Sequence, residues 1–292
     1  MEEYIVQLSS CNREHWVKVL TLYLNKLHPN EFEGDHLTIS LSEDIQEADV
    51  LPFHMVLLAC FIESIHSMNY KVAIDSPNKE AEDFFNETFK AFFIGGQKYI
   101  EPSHKNILNL WKVVNERAIQ YSIQVTEYLN NEYFAGYDMS KLKVALDEVY
   151  ANIADHSKSN GNAFSYIKYI PQDRKIYVSA CDFGLGIAKT LRDSNAKYTS
   201  DEDALKDSIN IGVSAKTNAR NKGYGLDSIA STLSENDILR IVSNRGILKS
   251  TGGKDVEVFG LDFELKGTLI YFEISTDSFP IKEEIEDEVF IF

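Results

Sequence analysis

The sequence lacks any long apolar run and any sign of an export signal. No stretch of its 292 residues approaches the roughly twenty unbroken apolar residues that a bilayer-spanning helix requires. The N-terminal residues also lack the basic start and apolar run of a secretory signal. We therefore expect a soluble, cytoplasmic protein without a membrane partner.

Cysteine is scarce. Cys11, Cys60 and Cys181 are odd in number, far apart and placed in apolar segments. This pattern fits neither a disulfide framework nor the ligand spacing of a zinc site. We expect three buried free thiols.

Positive charge is also in short supply, with 29 Lys and Arg against 45 Asp and Glu, and a net charge of −16. At long range such a protein repels the phosphate backbone of nucleic acids and anionic membrane surfaces. Nucleic acid is therefore an unlikely partner, and any polyanion must be held by a local group of residues.

The chain does contain enough apolar sequence to fold, with 44% hydrophobic and 12% aromatic residues, and it is long enough for two domains. Its first third alternates short β-type runs with helix-length apolar segments. The predicted strands are 4–8, 37–41 and 71–75, and the predicted helices are 15–27, 50–68 and 79–93. This order indicates an α/β unit.

That layout resembles a STAS domain, the small regulatory fold of anti-sigma factor antagonists, over residues 1–100. In those proteins a phosphorylatable serine begins the helix after the second of these strands. The corresponding residues 48–52 read Ala-Asp-Val-Leu-Pro and contain no hydroxyl group. The resemblance therefore implies a docking or dimerisation module without a phosphate acceptor.

Residues 102–131 show helical spacing of apolar side chains, so we interpret 101–135 as a helical connector. His104 lies near its start. A phosphoacceptor histidine is one hypothesis for this residue, but its neighbours Pro, Ser, Lys and Asn do not form the usual acidic or arginine-rich surroundings. A surface histidine is the favoured interpretation.

The second half contains four short motifs in a fixed order. The first is a predicted helix with Glu148, Asn152 and then Asp155 and His156, whose spacing places them on one adjoining strip. A solvated helix face is the ordinary meaning of such spacing. The other three motifs are 182–187 (Asp-Phe-Gly-Leu-Gly-Ile), 223–226 (Gly-Tyr-Gly-Leu) and 267–268 (Gly-Thr). Each is weak alone, and their order carries the specificity.

With these motifs, residues 140–276 resemble the GHKL ATPases, the family of histidine kinases, anti-sigma factor kinases, MutL and DNA gyrase. The resemblance implies a two-layer α/β sandwich of Bergerat type over 136–276, with ATP and magnesium as ligands. Asn152 would ligate magnesium through its amide oxygen and Glu148 would act as general base. Asp155 matches the gyrase and MutL version of the helix, and His156 matches the anti-sigma kinase version.

The remaining motifs have roles in the same resemblance. Asp182 would accept the exocyclic amino proton of adenine, while Gly184 and Gly186 would let the backbone approach the base ahead of Ile187. The hydroxyl of Thr268 would reach this aspartate. Residues 190–222 are polar, and we interpret them as a mobile lid. The lid and the second glycine motif would bind the phosphates through these residues: Lys216, Lys222, Gly223, Tyr224, Gly225 and Leu226.

Three functions remain open. The first is a signalling regulator with protein kinase or ATPase activity, acting on a regulatory protein or phosphoacceptor. The second is a non-catalytic switch in which ATP changes the protein partner. The third is a clamp like MutL or gyrase, disfavoured because only about two dozen residues follow Gly267. Homodimers are common among such relatives, and the acidic tail, 277–292, has no assigned role.

Overall fold

Two β-sheets organise the residues that the computed structural model describes, which are 3–30, 35–93, 107–156, 161–210, 213 and 226–282. One sheet contains three parallel strands and the other five antiparallel strands. The chain is therefore an α/β protein, as the sequence predicts.

The first sheet belongs to an N-terminal unit in which a helix follows each strand. The elements are β1 (Glu3–Leu8), α1 (Arg13–Leu24), β2 (His36–Leu41), α2 (Pro52–Ser67), β3 (Lys71–Asp75) and α3 (Lys79–Phe93). The strands lie in the order β1-β2-β3. Asn12 caps α1 by accepting a hydrogen bond from the His15 amide, at 2.9 Å, and Pro52 opens α2, where its missing N–H costs nothing. The predicted alternation of strands and helices is confirmed.

The second sheet has the order β4-β5-β6-β8-β7. Its strands are β4 (Ile107–Lys112), β5 (Ala163–Ile170), β6 (Lys175–Asp182), β7 (Ile238–Thr251) and β8 (Asp255–Ser275). The helices in this part of the chain are α4 (Ala118–Glu132), α5 (Ser140–His156), α6 (Ile187–Ser194), α7 (Asp201–Ser208) and α8 (Leu226–Thr232).

Both faces of the five-stranded sheet are covered. Helices α4, α5 and α8 pack together on one face, which we call the cleft face. Helices α1 and α2 pack on the other, which we call the covered face. Because α2 also contacts β3, it lies between the two sheets. Its residues are buried without interruption from Pro52 to Ile62, which explains why this part of the helix is mainly apolar and most of its polar residues follow near the C-terminal end.

Part of the predicted helical connector is wrong. Residues Ile107–Lys112 form the edge strand β4, which pairs antiparallel with β5 through a register shift between Leu108 and Trp111. Helix starts only at Ala118. A short apolar run has no periodicity that distinguishes a strand from a helix. Here the run forms a strand because it pairs with the edge of β5. His104 lies outside the described residues.

The predicted lid over 190–222 is also wrong in part. Helix α7 packs against β7 and β8 and buries Ala204 and Leu205, so this stretch is a fixed part of the core. Its first turn is acidic, with three consecutive carboxylates. Because of this high charge, composition predicts an exposed segment although the helix has a small apolar face. The later part of the predicted lid lies outside the described residues, as do 283–292.

The prediction of three buried free thiols is confirmed in part. All three cysteines are free. Cys60 and Cys181 are buried, whereas Cys11 is only partly buried. Among the helices that the structure describes, none has both the length and the apolar character needed to cross a membrane.

Candidate functional site

A row of three buried polar side chains crosses the cleft face of the five-stranded sheet. Asp182 ends β6 and pairs in register with Thr268 on β8, which pairs in turn with Ser243 on β7. Their exposed fractions are 3%, 4% and 0%, respectively. Since alternate residues of a strand point to opposite faces, these cross-strand neighbours share one face and form a continuous polar strip.

Helix α5 supplies the opposite wall. Its apolar residues recur at helical spacing and are buried in the core: Leu142, Leu146, Val149 and Ile153. This stripe fixes the rotation of the helix and leaves Glu148 and Asn152 half-buried beside it. Asn152 Nδ2 donates to Glu148 Oε1, at 3.1 Å, and to the Glu148 backbone oxygen, at 2.9 Å. The amide oxygen of Asn152 is therefore the atom left to accept a hydrogen bond or ligate a cation.

The two walls meet in a narrow cleft. Its lining residues are Asn152, Ile153, Ala180, Asp182, Gly186, Ile187, Thr268 and Ile270. Asn152, Asp182, Gly186, Ile187 and Thr268, proposed as ligand-binding from the sequence, are thus brought together. The cavity measures about 10 Å³, enough for about one water molecule. A purine therefore requires the walls to separate.

Asp182 is the most perturbed acid of this cleft. Burial raises the pKa of its carboxyl group from 3.8 to about 7, against the opposing effect of backbone hydrogen bonds from Gly184 and Thr268. The Gly184 amide donates to Oδ1 at 3.0 Å. Because a buried carboxylate is stable only with good donors, this side chain is suited to accept a further hydrogen bond from a ligand.

Two glycines at the cleft are required by the protein's own packing. Gly186 has φ +86°, and a Cβ there would lie 2.4 Å from Asn244 Oδ1. Gly267 has φ +120°, and its Cβ would lie 2.0 Å from the backbone oxygen of Asp182. The sequence interpretation gave Gly186 the task of clearing space for a base. The structure shows a different need, which is contact with the neighbouring strand.

The first amides of α6 are satisfied by side chains of β7 and β8. The Ile187 amide donates to Thr268 Oγ1 at 3.0 Å, and the Lys189 amide to Asn244 Oδ1 at 2.9 Å. Ser243 Oγ lies 3.1 Å from Thr268 Oγ1 and accepts from the Ala188 amide at 3.4 Å. Thr268 therefore anchors α6, a role that the sequence interpretation did not assign to it.

Sequence reasoning missed Ser243 and Asn244. A signal was present, because the apolar alternation of Leu239 and Ile241 is continued by a serine where an apolar residue would complete the face. Both side chains are buried, and a buried polar pair at a strand interior requires partners.

Other predicted site residues are placed only in part. Leu226 begins α8 and is buried in the core on the cleft face. Asp155 and His156 lie in the last turn of α5, and their side chains fall outside the described residues. The remaining predicted residues also lie outside: Lys216, Lys222, Gly223, Tyr224 and Gly225.

Within the residues that the structure describes, no three His, Cys, Asp or Glu side chains cluster as a metal site. Two oxygen donors are available on this side of the cleft. They are the amide oxygen of Asn152 and the carboxylate of Glu148, which accepts a hydrogen bond from the Asn152 amide nitrogen. These oxygen donors suit magnesium, which keeps several waters and takes other ligands from substrate phosphates. The donor set fits magnesium held with a nucleotide.

Comparison with known proteins adds no relative. Neither a scan of protein-family models nor a search of curated proteins finds a match for this chain. The function must therefore be argued from the cleft and the fold.

Proposed function

We propose that the chain binds Mg-ATP in the cleft between α5 and the polar strip, and uses it as a protein kinase or ATPase in signalling. Residues 136–276 would then be a Bergerat-type domain of the GHKL family, and 1–100 a STAS-like unit. The observation that carries the proposal is that Asp182, buried at a strand end, lines the same cleft as Asn152.

Asp182 would recognise the base. An ionised carboxylate accepts hydrogen bonds and cannot donate them, so it pairs with the exocyclic amino group of adenine. Guanine presents a carbonyl oxygen at the same position, and two acceptors facing each other in a buried site are unfavourable. The desolvation that raises the pKa of Asp182 makes this discrimination stronger than it would be in water.

Asn152 and Glu148 would serve the phosphate end. The Asn152 Nδ2 hydrogen bonds orient the amide so that Oδ1 remains for the metal. Magnesium, when bound, neutralises phosphate charge. Glu148 lies one helical turn before Asn152 and is only half-buried, which allows it to take a proton from an attacking water or acceptor hydroxyl.

The packing of the N-terminal unit favours catalysis over a partner switch based on its release. Helix α2 contacts β5 and β6 as well as β3, so detaching the unit would expose the mainly apolar stretch of this helix from Pro52 to Ile62. Such exposure costs about 25 cal/mol for each Å². The two units are therefore expected to stay together when ATP binds.

Incubation with γ-labelled ATP and magnesium tests this proposal. Binding is measured by equilibrium dialysis, and the label is then resolved into released phosphate, labelled protein and intact ATP. Released phosphate indicates an ATPase and labelled protein a kinase, while bound but intact ATP supports the switch. GTP serves as the control and should not compete. Failure of ATP to bind at millimolar concentration would refute the proposal.

A further inference from the structure

A second, larger cavity lies on the covered face of the five-stranded sheet, away from the Asp182 cleft. It has a volume of about 350 Å³ and opens where the first turn of α1 crosses β7 and β8. Phe53 and Phe263 contribute to a largely apolar lining. Clefts of roughly 300–1,000 Å³ with apolar walls and few polar groups are typical of small-molecule sites. We call it the arginine cavity.

Two guanidinium groups share one tyrosine ring in this cavity. Arg13 Cζ lies 4.5 Å from the ring centre of Tyr271, and Arg240 Cζ lies 5.9 Å from it. Arg13 Nη2 also donates to the Tyr271 hydroxyl, at 3.2 Å. The Nη1 atom of Arg240 is buried without a hydrogen-bond partner. This nitrogen is a donor in need of an acceptor.

Neither arginine forms an ion pair in the described part of the chain, although Glu273 and Glu14 favour the charged form of Arg240 from a longer distance. The ion pairs found there include neither Arg13 nor Arg240. Glu14 lines the same cavity, and Glu273 nearby is held by Lys175 at 2.8 Å. Burial and the neighbouring Arg13 lower the pKa of Arg240. In a protein of net charge −16, two such cations side by side are costly without an anion.

We propose that the arginine cavity binds a small organic anion, a single carboxylate carried on a compact apolar body. The carboxylate would lie between the guanidinium groups of Arg13 and Arg240, since a guanidinium fork matches a carboxylate in geometry and charge. The apolar body would pack against Phe53 and Phe263. Nothing in this proposal depends on ATP binding in the Asp182 cleft.

The position of the cavity gives the ligand a structural effect. Arg13 belongs to α1 of the N-terminal unit, whereas Arg240 and Tyr271 belong to the five-stranded sheet. A ligand that contacts both parts binds the folded state and not the unfolded chain. It therefore raises the temperature of unfolding, by an amount that grows with the logarithm of its concentration once that exceeds the Kd.

The test uses 4-phenylbutyrate as the probe and its neutral amide, 4-phenylbutyramide, as the matched control. Affinity is measured by isothermal titration calorimetry on the full chain. We expect the amide to bind at least about tenfold more weakly, because it loses a charge-assisted interaction. Arg240→Gln should weaken the carboxylate by a similar factor. Arg174→Gln is the control, because it removes a charge from an exposed residue in the turn between β5 and β6. This variant should leave the affinity unchanged.

Three results would overturn the proposal. These are equal affinity for the carboxylate and the amide, unchanged affinity in Arg240→Gln, and no binding of the carboxylate to the wild-type chain. Inorganic phosphate that displaces 4-phenylbutyrate completely at equal concentration would also contradict the requirement for an apolar body. Thermal unfolding of Arg240→Gln without ligand verifies that the variant folds. Saturating ATP should not displace the probe, which separates this site from the Asp182 cleft.

Discussion

The two faces of the five-stranded sheet are built from the same strands and differ in what lies on them. Along β6, Ala180 and Asp182 face the cleft side, while Cys181 between them faces the N-terminal unit. The covered face packs against α2, whose stretch from Pro52 to Ile62 is mainly apolar. The cleft face carries a polar strip across three strands. Both faces are buried, and the cleft face differs in that its buried polar side chains lie in one row across neighbouring strands.

Each face also buries an ionisable group. Asp182 lines the cleft, and burial raises its pKa to about 7. Lys168 lies on the covered face, where its Nζ donates to the Val50 backbone oxygen at 3.3 Å and burial lowers its pKa. Both shifts favour the neutral form. Asp182 lines the cleft, whereas Lys168 lines neither the cleft nor the arginine cavity. The expected effects of substitutions therefore differ between the two groups.

The largest expected effect is that of Asp182→Asn. An amide cannot replace the carboxylate as a pure acceptor, so ATP binding should fall at least about 100-fold, the equivalent of nearly 3 kcal/mol. The same variant should be more stable than wild type at pH 8, by a few kcal/mol, because the ionised carboxylate is costly to bury. Equilibrium dialysis and urea unfolding measure the two effects.

The sign of that stability effect depends on pH. The pKa of Asp182 is higher in the folded state, about 7, than the value of 3.8 expected when unfolded. The folded protein thus binds more protons between these values, and wild-type stability falls as pH rises through this range. The advantage of Asp182→Asn should disappear near pH 4. Weaker ATP binding without extra stability at pH 8 would contradict the assigned burial.

The second effect concerns turnover. In Glu148→Gln the side chain can no longer accept a proton, so turnover should fall about 10²- to 10⁴-fold. ATP affinity should change little, since Asn152 keeps a hydrogen-bond acceptor at the position of Glu148 Oε1. Phosphate release or label transfer under saturating ATP gives the measurement. Normal turnover would show that Glu148 is not the base.

Local patterns in the sequence predict much of the cleft. The apolar spacing of α5 and the alternation along β5 and β6 are strong periodic signals, and the three elements occur where these patterns lie. In the folded chain, Asn152, Asp182 and Thr268 from three of the four motifs line one cleft. Periodicity fixes only which way a side chain faces, and it is the resemblance to the GHKL motifs that predicts a common location for these three polar groups.

The sequence does not predict what depends on long-range pairing. Ser243 and Asn244 acquire their roles only because β7 pairs with β8 beside α6. The edge strand β4 is separated from its partner β5 by more than fifty positions. The need for glycine at 267 likewise comes from Asp182 on another strand. Contacts between segments that are far apart in the sequence produce no local periodicity, so they cannot be predicted from local patterns.

A third prediction tests how tightly the cleft face is held. Gly267→Ala should cost about 3 kcal/mol or more, because its Cβ would overlap the Asp182 backbone oxygen and its φ is unfavourable for alanine. Gly136→Ala is the matched control. Gly136 has φ +84° with no atom within 4 Å of the added Cβ, so only backbone strain of about 1–2 kcal/mol remains. Urea unfolding compares them, and equal costs would contradict the close packing.

A fourth prediction is the pH dependence of ATP affinity. Adenine recognition requires the ionised form of Asp182, whose pKa is raised to about 7 in the free protein. Affinity should therefore fall up to about tenfold for each pH unit below this value and level off above it. Calorimetry with ATP between pH 5.5 and 8.5 follows the change. The Asp182→Asn variant should lose the dependence, and a flat wild-type profile would argue against a role for this carboxylate.

The smallest effect belongs to the covered face. Lys168→Met removes a buried ammonium group with one described hydrogen bond and leaves a flexible apolar side chain of similar length. Since burial lowers the Lys168 pKa from 10.5, the charged form is penalised in the folded state. The variant should be more stable at pH 7, by up to about 1 kcal/mol, with an advantage that shrinks as pH rises toward 10.5. ATP affinity should not change. A loss of ATP binding in Lys168→Met would show that the covered face also contributes to ATP binding. It would contradict the assignment of that function to the cleft face alone.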